Sequence, residues 1–478
     1  MNIISQNFKN LLKNKIKNLI ATNLYDYIDI IIDNFSLNIN DNFNYFNFIN
    51  LLNNSTRNFI LNTISSTFEE IDTQFRNSLE RKSRYYINKS NVSRTINTIF
   101  GTVTFKRTLY KYKFSNKYLF FVDKCFDLPK YDHYDPILKA IAINNAFQTS
   151  QAQSARDISA YSSDLSYFID KKSMSNISRQ CIFNWIKKWN VPNIVPKSVN
   201  TPDTLYVMAD EKYIGAQNID NDIMIKCFVT FENVISVSKN RNFLSNRFTF
   251  STCSRKPWKE FMDIIALRYD FSKIKNIALI GDGGTWIKTG LNELRLDSCN
   301  VVNYYLCEFH FKQAIHHITS DKSERNALLT IFNDYSKKDF ITAVNIIIEN
   351  EPKRTGIITQ KLNYILNNYC YIKNMLNLKI GSSMESHISH LIASFFSSRP
   401  KGYSTGNIKK YLLLNDYKNN NINIFKLYLK TYKLKKIKKI DENILDFSII
   451  NSYGDNIPIL KSGHVTPIYK ELNHICHY

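Results

Sequence analysis

The chain has 478 residues, 44% of them hydrophobic and 22% charged, which allows two or three domains with ordinary buried cores. Lys and Arg outnumber Asp and Glu by 63 to 41, a formal charge of +22 that favours a polyanionic partner: DNA, RNA or an anionic membrane. An AT-rich coding sequence explains part of this surplus, because Asn, Ile, Lys, Tyr and Phe are all abundant.

The placement of the cysteines and the hydropathy of the chain narrow the classes of protein that the composition allows. The eight cysteines are scattered and form no CxxC pair, which argues against a disulfide framework and fits a reducing compartment. No apolar run has the length of a membrane span or of a signal-peptide core. We therefore expect a cytoplasmic protein with no membrane partner.

Residues 1–94 are predicted to be a mainly helical region, with an apolar face that suits core packing or self-association. A small β segment is predicted for 95–134, where TINTIFGTVTFKRTLYKY is rich in β-branched and aromatic residues around a turn at Gly101. Together these segments place helices and a short sheet before any motif that carries chemistry.

Residues 135–189 are predicted to be a helix-turn-helix-like DNA-binding module that ends in SNISRQCIFNWIKKW. Ser178 suits a helix cap, and Ile182, Trp185, Ile186 and Trp189 fall on one apolar face. The opposite face carries Arg179, Gln180, Asn184, Lys187 and Lys188. Such side chains suit either a recognition helix in the major groove or an amphipathic surface helix.

A linker is predicted for 190–203, because Pro192, Pro196 and Pro202 cannot lie in one helix. An apolar strand with Asp210 near its middle follows in TLYVMADEKYIGAQ. Further on, the apolar run Ile277–Ile280 leads into Gly281, Asp282 and two more glycines, which predicts an acid at the carboxyl edge of an α/β sheet. Taken alone, Asp210 is equally well explained as a solvent-exposed strand end, and Asp282 is equally well explained as an ordinary turn residue.

A third acid, Glu385, precedes a predicted helix in ESHISHLIASFF. It lies 103 residues after Asp282, and helical patterns over about 320–380 predict an inserted helical subdomain between them. An acid inside an apolar strand needs compensation of its charge, and Mg²⁺ or Mn²⁺ prefers carboxylates, water and phosphates. Asp210, Asp282 and Glu385 are therefore predicted to hold two such ions for phosphodiester chemistry.

Cys307 and His310 form a Cys-x-x-His motif between Asp282 and Glu385. A structural zinc site needs a second pair of ligands that the sequence lacks, so we expect His310 to lie beside the active site and to contact the scissile phosphate or tune a carboxylate. A basic region follows at 411–478, where KLYLKTYKLKKIKKI suits phosphate contacts or a solvated lysine-rich face. The phosphate-contact prediction includes Lys435, Lys436, Lys438 and Lys439.

Four segments together, TIFGTVTFKRTLY, ADEKY, GDGGTWIK and CEFHFKQAI, resemble the ISLre-type bacterial insertion-sequence transposases, also known as uncharacterised protein family 0236. ESHISHLIASFFSSRPKGYS and the near-terminal IPIL extend the resemblance over nearly the full chain. It implies a DDE transposase with a ribonuclease-H-like, mixed-sheet α/β catalytic core at 204–410, interrupted by a helical insertion as in Mutator-like enzymes.

The resemblance assigns Asp210, Asp282 and Glu385 as the catalytic, metal-binding acids, with Glu349 and Glu351 as competing third acids. It also implies double-stranded DNA partners, namely terminal inverted repeats and target DNA, and a homo-oligomer that brings two ends together. Cys307 and His310 match the Cys/Asp-x-x-His motif of the Mutator-like group. Two alternatives remain: a ribonuclease-H-like nuclease without strand transfer, and a catalytically inactive DNA-binding derivative.

Overall fold

In the computed structural model of the chain, the described residues are 6–38, 45–161, 177–215, 222–238, 241–295, 300–378, 391–392, 394–396 and 404–441. Only the backbone is described at 6–9, 34–38, 46, 161, 237–238, 241–242, 405 and 433–441. Contacts divide the chain into two units: Met1–Leu138, Tyr161–Ser175 and Tyr428–Tyr478 form the first, and Lys139–Ala160 and Asn176–Leu427 form the second.

The strands in the described ranges are β1 Tyr85–Thr98, β2 Gly101–Tyr112, β3 Tyr118–Phe120, β4 Thr204–Ile214, β5 Ile223–Phe231, β6 Asn233–Ser238, β7 Arg241–Ser245, β8 Phe248–Thr252, β9 Asn276–Gly281 and β10 Val301–Leu306. The helices up to residue 293 are α1 Gln6–Asn38, α2 Tyr45–Asn77, α3 Leu79–Arg84, α4 Phe121–Cys125, α5 Pro136–Gln148, α6 Gln151–Tyr161, α7 Arg179–Lys188, α8 Pro257–Arg268, α9 Thr285–Lys288 and α10 Gly290–Glu293.

The later helices are α11 Glu308–Ile318, α12 Lys322–Asp334, α13 Lys337–Asn350, α14 Thr355–Asn367, α15 Tyr369–Leu378, α16 Ser394–Phe396, α17 Thr405–Asn419 and α18 Ile424–Asp441. Short 3-10 turns lie at Phe271–Lys273 and Pro352–Arg354. Among all the helices that the structure describes, none has both the length and the apolar character that a membrane span requires.

The first unit packs α2 against an antiparallel sheet of β1, β2 and β3. Phe75 of α2 stacks on Phe121 with ring centroids 3.6 Å apart, in a core of aromatic side chains. Asp72 is buried beside them, and its carboxylate accepts hydrogen bonds from Thr108 at 2.6 Å and Tyr110 at 3.2 Å. Those two hydroxyls offset the cost of burying the acid.

The start of β1 corrects the sequence prediction. β1 begins at Tyr85, ten residues before the predicted change to β structure at 95. Its first half, Tyr86–Asn91, is exposed and mostly polar, and register shifts interrupt its pairing with β2 near Lys89. A strand without alternating apolar residues gives no period-2 signal, so the sequence pattern could not locate its beginning.

The second unit is built on a mixed five-stranded sheet with the order β10-β9-β4-β5-β8. β4, β5 and β8 pair in antiparallel fashion, whereas β4, β9 and β10 run parallel. Leu205, Val207 and Ala209 of β4 project into a core shared with α8 and with the helices α11 to α15, which are consecutive as the sequence predicts. The fold class is therefore mixed α/β.

Side chains of α17 form hydrogen bonds with backbone groups of the outer strand β8. The backbone N–H of Ser251 donates to Asp416 at 2.7 Å, and that of Thr249 donates to Asn420 Oδ1 at 2.8 Å. The amide of Asn420 returns a hydrogen bond to the Thr249 carbonyl at 2.8 Å. Burial raises the pKa of the Asp416 carboxyl well above its usual value.

Candidate functional site

The parallel pairing of β4, β9 and β10 in the second unit stops at one edge of the sheet, and β4 alone continues beyond it, to Ile214. Met208 of β4 pairs with Ile280 of β9, and Leu306 of β10 pairs with Gly281 of β9. Asp210 lies two residues beyond Met208, and Asp282 lies two residues beyond Ile280. The two predicted acids therefore stand at equivalent distances beyond the last β4–β9 pair, which brings both to this carboxyl edge.

Asp210 sits in the pairing part of β4, opposite Cys227 of β5. It is only 8% exposed, and its Oδ1 accepts a hydrogen bond from the Glu211 backbone N–H at 2.7 Å. Burial raises the pKa of the Cys227 thiol well above its usual value, and the charges of Asp416 and Asp210 act in the same direction. An acid this buried fits a position where a cation compensates its charge.

Asp282 stands in a tight turn that directly follows β9. Gly283 has φ +95°, a left-handed conformation that residues with a side chain rarely adopt. The Gly284 N–H donates to Asp282 Oδ1 at 2.8 Å, and the Gly283 N–H donates to the Tyr304 hydroxyl at 2.8 Å. A Cβ on Gly281 would meet Ile287 at 2.7 Å, so this glycine is also required by close packing.

The helices after β10 hold the same turn from the other side. The Tyr364 hydroxyl of α14 donates to the Asp282 carbonyl oxygen at 2.7 Å. Burial raises the pKa of Tyr304 and Tyr364, and the charge of Asp282 raises both further, so these hydroxyls keep their protons at neutral pH. The buried side chain of Asn368 also approaches Gly283. These supports span up to 86 residues of sequence, and no local motif predicts them.

Cys307 and His310 lie at the same edge. The Cys307 N–H donates to the Gly281 carbonyl at 2.8 Å, and Cys307 is buried as the N-cap residue of α11. His310 follows in the first turn of that helix, and its Nδ1 is buried with no hydrogen-bond partner among the described residues. A ring nitrogen in that state suits an incoming polar group, because a buried orphan polar atom is costly.

The predicted metal site combines residues inside and outside the described ranges. Within the described ranges, no group of three or more His, Cys, Asp and Glu residues is arranged to hold a metal ion. Glu385 lies outside the described residues, so its place beside Asp210 and Asp282 stays a prediction. Two carboxylates at one sheet edge nevertheless fit Mg²⁺, which commonly takes one or two protein carboxylates and completes its shell with water and substrate phosphates. Of the competing acids, Glu349 is exposed and Glu351 pairs with Arg354 at 2.5 Å.

Comparison with known proteins identifies the family of the chain. The sequence model described as "Uncharacterised protein family (UPF0236)" matches residues 39–427. The chain belongs to the UPF0236 family. UPF0236 proteins of Caldanaerobacter subterraneus subsp. tengcongensis are 25% identical over 98% of this chain and 95% of the relative, and 24% identical over 96% of this chain and 98% of a second relative. A third relative from that organism is 24% identical over 86% of the chain and 87% of its own length, and its name joins eleven designations.

The UPF0236 match includes α7, the predicted recognition helix. Ser178 caps it by accepting a hydrogen bond from the Cys181 N–H at 3.2 Å, as predicted. Ile182, Ile186 and Trp189 are buried and Trp185 is half-buried. The polar residues predicted to face outward are all exposed: Arg179, Gln180, Asn184, Lys187 and Lys188. Exposure allows both a recognition helix and a surface helix, so the DNA contact stays a prediction.

Two further predicted regions are the basic tail and the linker. Lys435, Lys436, Lys438 and Lys439 fall on the backbone of α18 beyond the UPF0236 match, and their side chains lie outside the described residues. The 190–203 segment lies inside the second unit, where the Ile194 N–H donates to the Tyr417 hydroxyl at 2.7 Å. Residues 162–176 of the predicted DNA-binding module are also outside the described residues.

Proposed function

We propose that this chain is a DNA transposase that binds the ends of an insertion sequence and carries out metal-dependent cleavage and strand transfer. The observation that supports the proposal is the register of β4 and β9, in which Asp210 and Asp282 each follow the last paired residues, Met208 and Ile280, by two positions at the carboxyl edge of the sheet. Open α/β sheets commonly bind their ligands at that edge. Glu385 is proposed as the third acid.

A ribonuclease-H-like core is proposed for the second unit. In support, an antiparallel trio of strands, β4, β5 and β8, continues through β4 into the parallel strands β9 and β10. Asp210 then lies on β4, the first strand of this sheet, and Asp282 directly follows β9, the first strand that runs parallel to β4. The helices from α12 to α15 correspond to the proposed insertion, and Tyr364 connects that insertion to the Asp282 turn.

Each residue of the edge has a proposed task. Asp210 and Asp282 would hold divalent ions, which when bound activate a water or 3′-hydroxyl and stabilise the leaving oxygen of a phosphodiester. The Gly284 N–H holds the Asp282 carboxylate, and the Tyr364 hydroxyl holds the backbone carbonyl of the same residue. His310, with its buried Nδ1, is proposed to donate to a phosphate oxygen.

The relatives add a second line of support. One name that joins eleven designations from one organism fits a protein encoded at many places in a genome, as a self-copying element would produce. The formal charge of +22 fits a DNA substrate. Neither observation separates strand transfer from cleavage alone, so the experiment must measure both products.

The test incubates the full chain with labelled element-end DNA, a target plasmid and Mg²⁺ or Mn²⁺. Asp282→Ala is the active-site variant, and Asp334→Ala, which removes an exposed aspartate at the end of α12, is the matched control. We expect nicked and joined products from the wild type and the control, and neither from Asp282→Ala. Cleavage without joining would favour the nuclease, end binding without cleavage would favour an inactive derivative, and activity that survives Asp282→Ala would refute the assigned site.

A further inference from the structure

The sheet of the first unit carries a row of three opposed residues on its outer face. Tyr86 of β1 pairs with Lys111 of β2, and Lys111 pairs with Tyr118 of β3. Directly opposed residues of an antiparallel sheet project from the same face. We refer to Tyr86, Lys111 and Tyr118 as the Tyr-Lys-Tyr row.

This row faces away from the core. The neighbouring Tyr85 and Tyr110 point to the other face, where both rings contact Phe75. Tyr86 and Tyr118 are 59% and 55% exposed, so neither residue is used up in packing against the core. Two exposed rings on one sheet face, with a cation between them, form a flat platform instead of part of a core.

More cations surround the row. Lys113 Nζ lies 5.0 Å from the Tyr86 ring centroid, and the Lys113 N–H donates to the Arg84 carbonyl at 2.9 Å, which brings Arg84 to the same end of the sheet. The sequence from Arg81 to Lys117 contains ten Lys and Arg residues and no Asp or Glu. Only Arg94 and Arg107 of these turn inward to pair with Asp123.

Rings and cations together indicate which partner fits. Phosphates bind cations in any nucleic acid, but aromatic faces stack only on bases that are not already stacked in a duplex. We propose that the Tyr-Lys-Tyr row binds a single strand of DNA, with bases on the two tyrosine rings and phosphates at Lys111, Lys113 and Arg84. This inference rests on the proposed function in so far as DNA is the partner, but it concerns a surface outside the catalytic edge.

The test measures binding without catalysis. The full chain in EDTA is titrated into labelled oligo-dT of about 15 nucleotides, a length near the upper range of known single-strand sites, and into a duplex of equal length. Tyr86→Ala/Tyr118→Ala removes both rings, and Tyr86→Phe/Tyr118→Phe keeps them. Tyr25→Ala/Tyr335→Ala removes two equally exposed tyrosines elsewhere and is the matched control.

We expect the double Ala variant to lose about 5-fold or more in oligo-dT affinity per ring, with duplex affinity unchanged, while the Phe variant and the control bind as the wild type. Lys111→Gln should lower the slope of log affinity against log salt by about 0.7. Unchanged oligo-dT binding by the Ala variant, or an equal loss on duplex, overturns the inference. A wild type that binds duplex but not oligo-dT overturns this inference alone, whereas one that binds neither also overturns the proposed DNA function.

Discussion

Replacing Gly283 tests how strictly the backbone of the Asp282 turn is held. At φ +95° a residue with a Cβ is strained, which costs about 1–2 kcal/mol. The added Cβ would also lie 3.1 Å from Leu306 Cδ1 and 3.2 Å from Asn368 Oδ1. Moving those side chains off their preferred rotamers adds about 0.5–1 kcal/mol. Gly283→Ala should therefore lower the free energy of unfolding by about 2 kcal/mol.

The matched control is Gly356→Ala. Gly356 lies in α14, and a Cβ built there meets no atom within 4 Å. Alanine in that helix should stabilise by about 0.5–1 kcal/mol, because it restricts the unfolded chain without native strain. The two substitutions are chemically identical, so their difference isolates the conformation and crowding at the turn.

Thermal unfolding monitored by circular dichroism gives the measurement. For a unit of this size, a loss of about 2 kcal/mol lowers Tm by roughly 3–4 °C. Because the chain has two units, each transition is fitted separately, and the change should appear in one of them. A Gly283→Ala protein as stable as Gly356→Ala, with full metal-dependent nicking, would show that this turn does not constrain Asp282.

Three further predictions follow from the same residues. Asp210→Asn should abolish metal-dependent cleavage without lowering Tm, because it removes a buried charge from β4; a nicking assay beside a melting curve checks this. Tyr364→Phe removes the hydrogen bond to the Asp282 carbonyl and should cost about 1 kcal/mol while raising the Mg²⁺ concentration needed for half-maximal cleavage. The raised pKa of Asp416 means that the folded state binds its proton more tightly, so stability should fall as pH rises above about 4, by at most ~1.4 kcal/mol per pH unit, and Asp416→Asn should remove that dependence in urea titrations.

Local patterns in the sequence located most single elements of the candidate site. The apolar run before Asp282 and its glycines predicted a strand and a turn, and both are present. The Ser178 cap and the buried face of α7 were likewise predictable, because a helix records its exposure every three or four residues. These signals each lie within about fifteen residues of chain.

Such local patterns could not predict contacts between residues that are far apart in the sequence. That Met208 aligns with Ile280 depends on which strands become neighbours, and a shift of one residue would turn Asp210 to the opposite face. The hydroxyl of Tyr364 reaches Asp282 from a separate helix, so its role has no signal in the surrounding sequence. The polar beginning of β1 was missed because a strand that is exposed on both faces and interrupted by bulges shows no alternation of apolar residues.

The hydrogen bonds between α17 and β8 also affect how one molecule associates with another copy of itself. Asp416 and Asn420 are one helical turn apart, a rise of about 6 Å, and they reach Ser251 and Thr249, which are two strand residues or about 6.8 Å apart. A helix can therefore bind an outer strand at alternate residues, much as another strand would. An incoming β-strand finds these groups already bonded, which protects the sheet from edge-to-edge aggregation along β8.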